Sequence, residues 1–569
     1  MKTLTCALGV FMAALCHAAD FPLAGGDIAS DGADGWNGTK PGSGQEAKFT
    51  QAGTYTASGN VTFGYVNFAT GGLVFDLTSD GRTVTLDSSV NVGGTDTSPV
   101  VGPTAANATT ELKGGAWTGS GMTFKNIGDG YTLLLSDGAS ITDAGTLSLG
   151  HSLKSNSIVL TGGSEIHANA ILLHRWGNTG TKLDVGGGSK VYATGAFMMQ
   201  QNGTAGSYFA GNHFVDVHDA GSLLQVGADL NLGQYNSDNV IRIRDGATLS
   251  VESTKVRMAG GGSHLLEVLN GATATVKTIE IASTGNRVFV SNATCTASTN
   301  IQLGNAATVT GNVMRVEGQT AVFNCPGNVF GLGCGNLFEL VDGATWDIGG
   351  TDITLMSGAS SNVLRVAGGA VLANTNAPAA GATLKIGADN TALGYNRIEI
   401  LDGAVVNLEG CFVRGVNNEI VVSNATFKID GTAYGIWIGH GSNSSGNKLI
   451  VQGTTPSVYV KEYKSSHGST IRFEIPAEGY AEGYVPMTMK LDSALNTATE
   501  RFEIDCAAWV ANPDAVRKLV LMRTTTDITS AQADWILAQN ADLPESVRLK
   551  VTSREVIIQK RGGFILSFR

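Results

Sequence analysis

A thirteen-residue pattern recurs along this chain and leaves very few folds open to it. It reads "NVIRIRDGATLSV" from Asn239, "NLFELVDGATWDI" from Asn336, "NRIEILDGAVVNL" from Asn396 and "NEIVVSNATFKID" from Asn418. Each copy opens on asparagine, places apolar residues at alternate positions, turns on Asp, Asn or Gly, and alternates again. A period of two marks a strand buried on one face. The turn residues tolerate the positive φ that a tight corner needs. A third short strand follows and often ends in glycine, as in "LNLG" at 230, "IQLG" at 301, "LKIG" at 384 and "IWIG" at 436. From Gly150 to Gly439 its fourth position returns about every 26 residues, through twelve coils. Three strands per repeat, none able to bury its apolar face alone, must each stack on their counterpart one coil away. The expected fold is all-β: a parallel β-solenoid of about 26 residues per coil.

Two columns of polar residues fit that stacking. The leading position is asparagine in nine of thirteen coils, at Asn156, Asn239, Asn286, Asn312, Asn336, Asn362, Asn396, Asn418 and Asn447, with Tyr131, Thr181, His213 and His264 in the others. A carboxamide carries both donor and acceptor, so stacked copies can bond one another and satisfy backbone groups at a corner; a structural asparagine ladder is expected. Three residues on, facing outward, stand Asp184, Asp216, Arg242, Glu267, Phe289, Arg315, Glu339, Arg365 and Glu399. Their signs largely alternate, which reads as an ion-pair column worth roughly 0.2 to 1 kcal/mol per stacked pair.

Composition narrows the function classes. Glycine contributes 76 of 569 residues, charged residues are only 15%, and the formal charge is -11. No basic stripe is available to neutralise phosphates, which argues against nucleic acid as a partner. Residues 1 to 18 read as a secretory signal: Lys2 is the basic start, Leu4 to Leu15 the apolar stretch, and "CHA" a small-residue cleavage site before Ala19. No later apolar run reaches the ~18 residues of a membrane span. The expected location is therefore secreted or at the cell surface, extracellular or outer-membrane associated, with no transmembrane segment in the mature chain. Five cysteines follow the leader (Cys295, Cys325, Cys334, Cys411 and Cys506), an odd number, so disulfides do not organise the fold. Cys334 and Cys411 lie in apolar strands, where a cysteine acts as a small hydrophobe.

The repeats resemble right-handed parallel β-helices, the shape of pectin-lyase-like proteins and autotransporter passenger domains. The resemblance spans about residues 55 to 470 and lies in the pattern. It implies a right-handed coil and raises the question of catalysis, because a histidine between two glycines sits in the active-site cleft of secreted β-helical polysaccharide hydrolases. "IWIGHGSNSSGN" at 436 contains such a histidine, His440. Gly439 and His440, however, occupy the corner position held elsewhere by Gly304 and Asn305. The Asn-Thr-Asp, Asp-Asp and Arg-Ile-Lys strings of polygalacturonase-like enzymes do not occur. Glycosidic hydrolysis also needs two carboxylates.

The nearest approach to a catalytic constellation is Asp216, His218 and Asp219 beside Arg242 and Arg244, with Asp245 and Glu267 adjacent. A histidine near carboxylates can act as general base, and arginine can hold an acidic sugar. The competing reading places Asp216, Arg242 and Glu267 in the ion-pair column, and Asp219 and Asp245 among the turn formers. No nucleophile elbow, HExxH, CxxC or phosphate loop occurs, and no cofactor or metal is expected.

The ends differ from the coils. Residues 19 to 54 are expected to cap one end of the repeats at 55 to 470, and residues 471 to 569 to form a small α+β domain. In that domain "TSAQADWILAQ" is a helix with Thr529 and Gln532 as capping box, and "RGG" turns a final hairpin. The expected function is a secreted or cell-surface structural or adhesin-like protein without catalytic activity. The alternatives are a polysaccharide lyase or glycosidase, or a non-catalytic carbohydrate-binding protein in which Trp176, Trp346 or Trp437 stacks on sugars. Extracellular polysaccharide or other cell-surface components are the expected partners.

Overall fold

The computed structural model describes residues 18–561 apart from 31–35, 37–38, 88–99, 102–105, 123, 126–128, 150–154, 174–179, 200–210, 234–235, 327–332, 349–352, 356–359, 374–382, 388–393, 432–434, 442 and 492–497. The leader expected over residues 1 to 18 thus falls outside the described residues except for Ala18. So do Trp176 and all but the first residue of "RGG" at 561. About 53% of the chain is strand and 4% helix, with parallel coils stacked as a β-solenoid. Two compact units divide it, Met1–Gly195 and Ala196–Arg569.

In the first unit three parallel sheets run along the stack. One joins Gly25–Asp27, Gly53–Thr56, Leu73–Asp76, Thr109–Lys113, Thr132–Ser136, Ser157–Leu160 and Lys182–Val185, each strand pairing with the next. A second passes through Ala116–Gly119, Ser140–Ser148, Glu165–Leu172 and Lys190–Ala193. The third begins at Ala18–Phe21 and continues through Glu46–Phe49 and Tyr65–Phe68. Coil pairing is therefore present within residues 19 to 54. Aromatic rings fill this part of the core: Phe49 meets Phe75 edge-on at 4.8 Å, and Phe75 meets Trp117 at 5.3 Å.

The second unit shows the repeat at its most regular. The first inward position of each repeat falls in one stack, running Val215, Ile241, Leu266, Val288, Met314, Phe338, Leu364, Ile398, Ile420, Leu449, Ile471 and Phe502 in consecutive register. Every member is at most 1% exposed. Burying an aliphatic side chain of this size stabilises by about 1.5 to 3 kcal/mol, so the column is a main source of cohesion between coils. The turns work as the sequence implies: Asp219, Asp245, Asn270 and Asn292 sit at φ +72°, +57°, +52° and +48°, and Asp342, Asp402 and Asn424 repeat the conformation.

Coil pairing continues past residue 470, where Thr470–Glu474 pairs in parallel with Arg501–Asp505. Beyond it two helices appear, α1 (Ala507–Ala511) and α2 (Ser530–Gln539). Helix α2 begins with the reciprocal cap expected: Gln532 N–H donates to Thr529 Oγ1, and Thr529 N–H donates to Gln532 Oε1. The direction of the sheet then reverses. Glu555–Lys560 runs antiparallel to both Val547–Val551 and Lys518–Thr524, which closes a hairpin over residues 552–554.

Candidate functional site

The asparagine column forms a hydrogen-bonded ladder. Successive backbone N–H groups donate to the carboxamide oxygen one coil on: Asn286 to Asn312 at 2.8 Å, Asn312 to Asn336 at 3.0 Å, Asn336 to Asn362 at 2.8 Å, Asn362 to Asn396 at 3.1 Å, Asn396 to Asn418 at 2.9 Å and Asn418 to Asn447 at 2.9 Å. In the first unit Tyr131 N–H donates to Asn156 Oδ1 in the same way. His213 N–H donates to Asn239, and Asn239 N–H to His264 Nδ1, while His264 Nε2 donates to the Ala259 carbonyl at 2.7 Å. Those two bonds require the neutral ring. Burial pushes the His264 pKa below its ordinary value. At the far end the slot passes to Ser469 and then to Glu500, whose buried carboxylate accepts from Gly468 N–H and Ser469 N–H. Burial raises the Glu500 pKa, against the lowering effect of its bonds to Ser465, Ser469 and Gly468.

The outward column is also paired. Arg242 bonds Glu267 at 2.6 Å, Arg315 bonds Glu339 at 3.1 Å, and Arg365 spans Glu339 at 2.9 Å and Glu399 at 2.7 Å. Five residues are the expected candidates for catalysis: Asp216, His218, Asp219, Arg242 and Arg244. Asp216 and Arg242 are register partners, yet Arg242 turns to Glu267 and lies over the Phe214 ring at 5.2 Å. Asp216 is instead held by Arg244 at 3.1 Å, and Arg244 also bonds Asp245. His218 Nδ1 lies 3.0 Å from Asp219, a turn residue. Asp216, Arg242 and Arg244 are thus engaged in ion pairs, and His218 lies against Asp219. His440 sits at a corner flanked by Gly439 and Gly441 at φ +79° and +113°. Its ring packs edge-on against Trp437 at 4.3 Å and against Phe412 at 5.3 Å. Trp346 is fully buried, which removes it as a sugar platform.

No disulfide forms among the described residues, and the thiols of Cys295 and Cys411 are pushed by burial up to about 12. Among the described residues no group of three or more His, Cys, Asp or Glu side chains is arranged to hold a metal ion. No helix among them is long and apolar enough to cross a membrane.

Two hollows were not foreseen from the sequence. In the second unit a cavity of about 360 Å³ lies beside the C-terminal end of α2, among Arg472, Asp505, Cys506, Asn540 and Leu543. Its polar groups serve each other or the backbone: Arg472 bonds Glu474 and Asp505, and the Asn540 amide donates to the Phe502 and Ile536 carbonyls. In the first unit a groove of about 310 Å³ crosses three coils, lined by Thr142, Asp143, Ala144, His167, Ala168, Asn169, Tyr192 and Thr194. Thr142, His167 and Tyr192 are successive members of one outward column. The His167 and Tyr192 rings stack at 4.6 Å and 17°. His167 Nε2 lies 2.8 Å from Glu165, whose carboxyl is held below the usual range by that bond and by Lys190.

Compared with known protein families, with curated proteins and with solved structures, the chain shows no match.

Proposed function

We propose that this protein is an exported, cell-surface or secreted scaffold of adhesin-like type, which acts by presenting the outer faces of its coils and carries out no catalysis. One observation carries the reading. The polar groups that could have formed a reaction centre are paired with one another: across coils Arg244 with Asp216 and Arg242 with Glu267, and within a coil Arg244 with Asp245 and His218 with Asp219. An arginine clamp must be able to reach substrate, and guanidinium groups tied to carboxylates at 2.6 and 3.1 Å would have to break those bonds first. The leader-like start supports export, and the repeat pattern supports a likeness to right-handed β-helices of the passenger-domain kind. Such a solenoid offers long regular faces on which a partner can be bound by many weak contacts.

Fractionation of cells carrying the full-length chain tests the reading. The mature protein is expected in the medium or on the outer surface, open to added protease in intact cells, and starting near Ala19. Recovery in the cytosol with the leader intact would overturn it.

A further inference from the structure

We infer that the groove across Thr142, His167, Asn169, Tyr192 and Thr194 is a binding site for neutral sugar rings of an extracellular polysaccharide. The inference deepens the surface role proposed above and rests on it.

The two hollows differ in what their polar groups are doing. Around Arg472 the guanidinium is ion-paired with Glu474 and Asp505, and the Asn540 amide donates to backbone carbonyls. In the groove of the first unit several polar groups have no such partner among the described residues. Asn169 Oδ1 accepts from the Thr194 hydroxyl at 3.3 Å, but the Asn169 amide nitrogen, the Thr142 hydroxyl and His167 Nδ1 make no hydrogen bond among the described residues. An amide donor, a hydroxyl and an imidazole nitrogen around one opening provide the mixed donors and acceptors that sugar hydroxyls require.

The wall beside them is aromatic. His167 and Tyr192 lie nearly parallel on consecutive coils, and the small side chains of Ala144 and Ala168 also line the opening. A ring surface next to small residues and hydrogen-bonding groups suits a pyranose, which is apolar on its C–H face and polar at its edge. At about 310 Å³ the space is at the small end of ligand sites, enough for a short run of sugar rings.

Charge selects among sugars. Asp143 lies in the lining, its carboxylate accepting from Gly121, Met122 and Gly145 N–H groups, and Glu165 stands beside His167. Lys190, on the same coil as Tyr192, is paired with Glu165 at 3.4 Å. A uronate would bring a further carboxylate beside those of Asp143 and Glu165, so the site favours neutral chains.

The test is affinity electrophoresis and titration calorimetry of the purified mature protein with laminarin, galactomannan and polygalacturonate. Retention by at least one neutral polymer is expected, with polygalacturonate weaker. Tyr192→Ala and Asn169→Ala should each weaken binding about tenfold or more with an unchanged circular dichroism spectrum, while His440→Ala leaves it intact. If Tyr192→Ala fails to fold, Asn169→Ala and Thr142→Val carry the same test. No retention by either neutral polymer, retention indifferent to these substitutions, or preference for polygalacturonate would overturn the inference. A surface-located protein that binds no neutral glycan removes the groove alone, whereas a cytosolic protein that binds one removes the surface role alone.

Discussion

Asn336 shows what one ladder residue does. Its carboxamide oxygen accepts from both the backbone N–H and the side-chain amide of Asn312, at 3.0 and 3.1 Å, in a corner that is 1% exposed. Asn336→Ala strands a buried N–H, which costs about 1 to 3 kcal/mol, so the urea unfolding midpoint should fall. An unchanged midpoint would mean that the ladder bonds contribute nothing. His264 is the ladder position where pH enters. Its folded-state pKa is lowered by burial, so the unfolded chain binds more protons as pH falls below the ordinary value of 6.5. Stability is therefore full above that value and declines through the range from about 6.5 downward. His264→Asn, which restores the residue used in most coils, should flatten thermal stability between pH 7 and 5. The wild type losing no more stability than the variant over that range would contradict the neutral-ring ladder.

At the scale of the strand, pairing register is the testable quantity. Glu339 faces Arg315 on one coil and Arg365 on the next, within 3.1 and 2.9 Å. Glu339→Lys places three cations in a row and should destabilise on the order of 1 kcal/mol. Adding Arg365→Glu should recover part of that, since one of the two opposed pairs is restored. A double-mutant cycle without coupling would disprove the register. This column was legible in advance because a period of two fixes which residues face outward and the repeat fixes which of them stack. Partner choice within it was not. Arg242 and Asp216 share a register position, but a guanidinium on a flexible stem reaches sideways as easily as along the column, so Arg244 takes Asp216. The α2 cap was legible because a capping box is local. The groove was not, since Thr142, His167 and Tyr192 lie on the second strand of each repeat and carry no motif. Its lining is gathered from three coils, so no single stretch of sequence records it.

For the whole molecule, about 53% strand against 4% helix predicts a far-UV circular dichroism spectrum dominated by β structure; helix near a third of the residues would contradict the fold. The functional account turns on whether the exposed faces only bind or also react. The most direct measurement is incubation of the purified mature protein with a panel of neutral and acidic polysaccharides, following new reducing ends and unsaturated uronate products over long times. The account predicts no product above a protein-free control, including from any polymer that the groove retains. Turnover of any one of them, lost by ~10²- to 10⁴-fold on substituting Asp216, His218 or Asp219, would contradict it and make the protein a polysaccharide lyase or glycosidase.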